Sequence, residues 1–110
     1  MHFPVLEDIR KSWSEKEFQD QVLAAAQKLG WSLRYHTHNS RRSAPGFPDL
    51  VLVHPVKGKI LFYELKTEKG VVSAVQWEWI NGLRDAGMTA GVRRPRDWHT
   101  ILVELGGHDA

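Results

Sequence analysis

Apolar and polar residues alternate along this chain with two periods, and each period marks an element. Ser14 stands three residues ahead of Glu17, the Ser-x-x-Glu arrangement of a capping box. Phe18, Val22, Ala25, Ala26 and Leu29 then recur at helical spacing, and Gly30 closes the run. Residues 31–37 alternate apolar and polar, which predicts a half-buried strand. Residues 38–48 are rich in Ser, Pro, Gly and Arg and read as a loop. Two apolar runs follow, 49–54 and 60–66, joined by a turn at 55–59 that holds Pro55 and Gly58. Apolar on both faces, they read as central strands covered on both sides. Ser73 and Gln76 form a second capping box, ahead of a stripe of Val75, Trp79, Leu83 and Ala86 that ends at Gly87. Residues 88–93 predict a strand, Pro95 breaks it, and residues 101–105 predict a last short strand. The expected order is α-β-β-β-α-β-β, an α/β fold with a mixed central sheet flanked by helices.

Composition limits what this framework can carry. With 110 residues, the chain has room for one domain spanning 1–110, with 1–12 as an N-terminal extension and 106–110 as a frayed tail. The absence of cysteine excludes disulfides, thiolate nucleophiles and Cys-type zinc sites. Residues 1–11 mix acids and bases without an apolar run, unlike a signal peptide, and the longest apolar stretches are too short to span a bilayer. A cytoplasmic protein with no membrane partner is therefore expected. The 15 basic and 13 acidic side chains nearly cancel, so their placement matters more than their sum.

Placement is most informative in the second apolar run. Side chains alternate across a strand, so Ile60, Phe62, Glu64 and Lys66 share one face, and Leu61, Tyr63 and Leu65 the other. A central strand thus ends on a carboxylate and an ammonium, groups that need partners, solvent or a metal. If the two runs form a hairpin, Asp49 at the start of one meets Glu64 near the end of the other. Two convergent carboxylates suit Mg²⁺ or Mn²⁺, hard ions that take oxygen ligands, and the backbone carbonyl of Leu65 is a further candidate. Lys66 is placed to orient an attacking water in hydrolysis of a phosphodiester. An isolated Glu-x-Lys is ordinarily a surface ion pair; Pro48-Asp49 ahead of the first strand sets this one apart.

Pro48-Asp49 followed by Glu64-Leu65-Lys66 resembles the PD-(D/E)xK nuclease superfamily and its restriction-endonuclease-like core. Within it, the string Arg42-Ser43-Ala44-Pro45-Gly46-Phe47-Pro48-Asp49 is similar to the VRR-NUC domain. So are Glu64 to Gly70, Gln76, and Arg94-Pro95-Arg96-Asp97-Trp98, where Arg96 stands in place of the family's serine. The chain looks like the small standalone type often encoded by phages, in which case the compartment is the host cytoplasm. The resemblance implies metal-dependent cleavage of structured DNA, with likeness to dimeric Holliday junction resolvases and a role in DNA repair. It also implies that a glutamate of the first helix joins the acidic cluster, a place Glu17 fits, although Glu17 equally completes the cap with Ser14. Gln76 is read either as a cap or as the amide that orients Lys66.

Two basic segments are expected to hold phosphates: Arg34, His36, His38, Arg41 and Arg42 in the first, and Arg93, Arg94 and Arg96 in the second, with Lys69 as a weaker contributor. His36 and His38 lack a third ligand at zinc spacing. Phe47, Trp31 and Trp79 read as core. Trp98 reads as packed over the sheet edge, and Trp77 lies off the helical stripe, open to a dimer interface or base stacking. The expectation is a Mg²⁺- or Mn²⁺-dependent endonuclease selective for branched DNA and acting as a homodimer. The rivals are a sequence-specific or degradative nuclease of the same superfamily and a non-catalytic DNA-binding module.

Overall fold

The computed structural model describes residues 6–37 and 43–106. Helix α1 (Leu6–Lys11) precedes α2 (Glu15–Lys28), whose N-terminus carries the full capping box: Glu17 N–H donates to Ser14 Oγ at 3.1 Å, and Ser14 N–H to Glu17 Oε1 at 3.1 Å. Strands β1 (Leu33–His36), β2 (Leu50–His54), β3 (Lys59–Leu65) and β4 (Thr89–Arg93) form one sheet in the order β1-β2-β3-β4. The first two pairings are antiparallel, and β3 pairs with β4 in parallel across helix α3 (Ala74–Asp85). The mixed sheet flanked by helices is the expected α/β fold.

One face of the sheet carries the main core. Phe18, Val22 and Ala26 of α2 pack on Leu50 and Leu52 of β2 and on Leu61, Tyr63 and Leu65 of β3. Trp31 is fully buried among them, and its indole donates to the Leu105 carbonyl at 3.0 Å. Phe62, on the opposite face of β3, meets Phe47, which also stands edge-on to Trp79 of α3 with centroids 5.1 Å apart.

Four expectations need correction. Residues 101–105 are not a strand: a 3₁₀ turn (Pro95–Asp97) leads into helix α4 (Trp98–Leu105). Ile101, Val103 and Leu105 would share one face of a strand, whereas a helix stacks Ile101 and Leu105 and turns Val103 away. Ile101 and Leu105 are fully buried and Val103 is 45% exposed. An apolar run this short fits either period, and only the layer it covers decides. The expected strand 31–37 shortens to β1, an edge strand with Leu33 and Tyr35 exposed, because Trp31 turns into the core before pairing begins. Trp79 is half-buried against the 45–48 loop and lies outside the main core. Finally, α3 is rotated from its expected stripe: Ile80 is its buried residue, while Val75 is 38% exposed. That rotation turns Gln76 toward the sheet.

Residues 1–12, expected as an extension, contain α1, which packs on the 3₁₀ turn. Trp13 stands edge-on to Trp98 with centroids 5.5 Å apart, and the Arg10 guanidinium lies 6.0 Å above Trp98, so Trp98 is a packing residue. Among the described residues no helix is long and apolar enough to cross a membrane.

The helical reading of α4 gives a direct expectation. Ile101→Ala should cost about 2–5 kcal/mol in urea unfolding, and Val103→Ala should stay within about 0.5 kcal/mol of the parent. Equal losses at both positions would contradict the helix.

Candidate active site

β2 runs antiparallel to β3 with Leu50 opposite Tyr63, so the next step of the register sets Asp49 beside Glu64. The expected convergence is present. Asp49 Oδ2 accepts the Leu65 N–H at 2.9 Å, and the Asp49 carboxyl lies close enough to Glu64 to raise it. Glu64 is 2% exposed. Its Oε2 accepts from Gln76 Nε2 at 3.2 Å and lies 3.9 Å from Lys66 Nζ. The cluster sits at the carboxyl end of β3, where parallel α/β units commonly bind ligands.

Local sequence explains how each group arrives there. Gly46 has φ +81°, and a Cβ on it would come within 2.6 Å of the Val75 carbonyl oxygen. Glycine therefore lets the 45–48 loop press against the start of α3. Trp79 Nε1 donates to the Pro45 carbonyl at 3.1 Å, and Pro48 is fully buried. The loop is thus held on both sides immediately before Asp49. Gln76 fills two roles that its sequence position left open: its Oε1 accepts the Ser73 N–H at 2.8 Å in the cap while its Nε2 reaches Glu64. Lys66 is fixed through its backbone, its N–H donating to the Arg93 carbonyl at 3.0 Å.

Electrostatics single out two glutamates. Burial and then the neighbouring Asp49 carboxyl push the Glu64 carboxyl up to about 8, with Lys66 opposing. Glu15 is also raised, by partial burial and then by Asp49, again against Lys66. Glu15 of α2, which pattern reading passed over, therefore senses the cluster, while Glu17 is engaged in the cap with Ser14. The first turn of a helix offers adjacent residues to different sides, and the direction of α2 over the sheet decides which one faces Asp49.

The donor set fits a hard divalent cation. Asp49 and Glu64 offer carboxylate oxygens, and a carboxyl group forced toward neutrality by burial and by its neighbour gains charge compensation from a cation. Among the described residues no three His, Cys, Asp or Glu side chains gather into a ready-made cage. Mg²⁺ is usually held by one or two carboxylates and retains several waters, so a carboxylate pair suffices.

The expected phosphate contacts fare differently. The Arg93 guanidinium is bound in two-pronged fashion by Glu104, at 2.9 and 2.7 Å, and lies 5.0 Å from the Tyr63 ring centre on the core side. Arg94 Nη1 donates to the Thr67, Glu68 and Gly70 carbonyls at 2.7, 3.4 and 2.8 Å. Both guanidinia are engaged within the chain, a correction to the reading of both as phosphate contacts. Arg96 remains 58% exposed in its side chain, 3.8 Å from Glu68, and Lys69 is exposed. Arg34 donates to the Trp31 carbonyl at 2.7 Å and, with His36, lines a cavity of about 340 Å³ against α2. His38, Arg41 and Arg42 lie outside the described residues.

The VRR-NUC domain profile matches residues 4–97, most of the chain. The chain belongs to the VRR-NUC family. No curated protein matches it. A solved structure described as a VRR_NUC domain protein aligns with a TM-score of 0.54 and 20% identity, covering 88% of this chain and 93% of that one, a likeness in fold. VRR-NUC is a nuclease-type domain, and its partner is accordingly DNA. The stretch matched to the family ends at Asp97, so it contains every member of the carboxylate cluster and stops short of α4.

The raised Glu64 carboxyl sets a pH dependence for this VRR-NUC domain. Its folded value exceeds the ordinary carboxylate value of 4.5. The folded chain therefore holds a proton that the unfolded chain releases, and that contribution to stability is complete below about 4.5 and lost as pH rises through about 8. Without metal, melting temperature should carry a falling component across that window. A bound divalent ion needs the ionised pair, so the Tm gain from Mn²⁺ should grow over the same window. Thermal melts with and without Mn²⁺ test both; in Asp49→Asn the falling component should shrink to what burial alone imposes, and the Mn²⁺ gain should be lost.

Proposed function

We propose that this VRR-NUC domain is a divalent-metal-dependent, structure-selective DNA endonuclease, using Mg²⁺ or Mn²⁺ and acting as a homodimer on branched DNA such as four-way junctions. The observation that carries the reading is the pairing of Asp49 with the buried Glu64, with Lys66 beside it at the end of β3. Asp49 and Glu64, with the backbone carbonyl of Leu65, are the groups that would hold the ion, and Glu15 of α2 adds negative charge nearby. Once bound, the cation supplies Lewis-acid polarisation of the scissile phosphate and acidifies water.

The chain's own residues do the rest. Gln76 fixes the orientation of Glu64 through its Oε2. Lys66, 16% exposed in its side chain, reaches out beside Glu64 to orient the attacking water and offset charge on the phosphate. The water oxygen bonds to phosphorus as the bond to the 3′ oxygen breaks; the water gives up a proton to solvent and the departing 3′ oxygen takes one from solvent, leaving a 5′ phosphate and a 3′ hydroxyl. Arg96, Lys69 and, in the first basic segment, Arg34, His36, His38, Arg41 and Arg42 are the groups left to contact phosphates. Among the described residues the secondary-structure elements are taken up by the sheet and the helices packed against it, with no separate module for reading base edges, which favours recognition of DNA shape. Two copies related by a two-fold axis would match the symmetry of a four-way junction, and Leu33, Tyr35 and Trp77 are apolar side chains left open for such a contact.

Cleavage of labelled four-way junction, flap and linear duplex with Mn²⁺ tests this. The junction should be cut faster than the duplex, and Asp49→Ala should lower the rate on the order of a hundredfold or more. Equal rates on junction and duplex would remove the structure selectivity; undiminished cleavage by Asp49→Ala would remove the site. Glu15→Gln should weaken Mn²⁺-dependent cleavage about tenfold, whereas Glu17→Gln, which can still cap Ser14, should stay within about twofold. The reverse order would return the acidic role to Glu17.

A further inference from the structure

The 67–70 loop and the 94–97 segment are cross-linked more densely than either needs to be as a surface turn. Arg94 Nη1 donates to the Thr67, Glu68 and Gly70 carbonyls. Glu68 Oε1 accepts the Arg96 N–H at 2.7 Å, and Asp97 Oδ2 accepts the Arg94 N–H at 2.8 Å. A half-buried guanidinium spent on backbone carbonyls is desolvated for a structural purpose, and the atoms next to the loop show what that purpose is. A Cβ on Gly70 would lie 3.3 Å from Lys66 Cδ, 3.5 Å from Lys66 Cβ and 3.2 Å from Thr67 Oγ1. Gly70 is thus the floor on which the aliphatic stem of Lys66 rests.

We propose that Arg94 is a positioning residue: by locking the 67–70 loop it presses Gly70 against the stem of Lys66 and so aims the Lys66 ammonium at Glu64. The inference rests on the reading of Lys66 as the group that orients the attacking water. Lysine has a flexible four-carbon stem, and its ammonium finds one place only if the stem is confined. Confinement here comes from two directions. The Arg93 carbonyl holds the Lys66 N–H, and the Arg94 side chain holds the loop that the stem lies on. Arg94 therefore acts through the backbone of the loop and makes no direct contact with DNA.

Two readouts separate this from a phosphate contact. The first is competitive acetylation of the full chain with acetic anhydride, read lysine by lysine by mass spectrometry. Lys66 should become about fivefold more reactive relative to the other lysines in Arg94→Ala, because the local structure that shields it opens more easily. Gly70→Ala, which keeps Arg94 and crowds the stem together with the Thr67 hydroxyl, should raise Lys66 in the same way. Arg94→Lys should fall between, since one ammonium can reach some of these carbonyls but lacks the guanidinium fork. Asp20→Asn, which weakens only the exposed pair with Lys16 on α2, should leave Lys66 unchanged. The second readout is four-way-junction binding without divalent ions across a salt series, paired with Mn²⁺-dependent turnover. Arg94→Ala should keep the wild-type Kd and salt slope while kcat falls about tenfold with KM preserved.

Unchanged Lys66 reactivity in both Arg94→Ala and Gly70→Ala would overturn the proposal. So would a salt slope reduced by about one ion in Arg94→Ala with Lys66 still shielded, which marks a phosphate contact. If Arg94→Ala proves unfolded, with all its lysines reactive, Gly70→Ala and Arg94→Lys decide by the same measure. If the wild type cuts no DNA, the nuclease reading fails by itself, and the acetylation pattern still decides whether Arg94 holds Lys66.

Discussion

Two carboxyl groups on neighbouring strands, one of them almost fully buried, set the terms for the rest of this molecule. Side by side in a poorly solvated place, Asp49 and Glu64 cannot both ionise cheaply. The surrounding chain answers with donors: the Leu65 N–H for Asp49, the Gln76 amide for Glu64, and the Lys66 ammonium beyond it. These donors ease the repulsion without abolishing it, as the raised Glu64 carboxyl shows. What remains is an unmet demand for positive charge at one defined point. A fold optimised only for stability would have no reason to keep that demand, because an apolar pair of similar volume packs into such a place at less cost.

The demand is affordable because the opposite face of the same strands is so well packed. Leu61, Tyr63 and Leu65 alternate with Phe62 and Glu64 along β3, so one strand serves the core and the site at once. Register carries the precision. A slip of one residue between β2 and β3 would turn Leu50 and Leu52 out of the core and swing Asp49 away from Glu64 together. The apolar pattern that stabilises the sheet is thus also what positions the acids.

Much of this was legible in the sequence because it is encoded locally. Both capping boxes, the β2–β3 hairpin and the Asp49–Glu64 convergence depend on spacings within a few residues or on one turn, and periodicity exposes them. What escaped depends on which layer an element meets. The 101–105 run is as apolar as a strand, and its burial against Trp31 makes it a helix. The face of α3 follows from the loop at Gly46, and the choice of Glu15 over Glu17 follows from the direction in which α2 crosses the sheet. Arg93 and Arg94 looked like solvated charges because their partners, Glu104 and the 67–70 carbonyls, are remote or are backbone atoms that no side-chain pattern displays.

Those two adjacent arginines tie the misread helix to the site. Beneath the sheet, Glu104 of α4 neutralises Arg93 and also accepts from the Tyr63 hydroxyl at 2.8 Å, which fixes the end of β4 against the core. From that fixed end the Arg93 carbonyl holds the Lys66 N–H, and the next residue reaches to the opposite side to hold the loop under the Lys66 stem. Successive side chains of a strand point to opposite faces, so a pair of neighbouring arginines can anchor one backbone position from both layers. The basic pair near the C-terminus therefore does for Lys66 what the 45–48 loop does for Asp49: each holds the backbone at the mouth of the site by contacts made away from it. The chemistry stays with a handful of polar groups, and their placement is distributed over nearly every element of the fold.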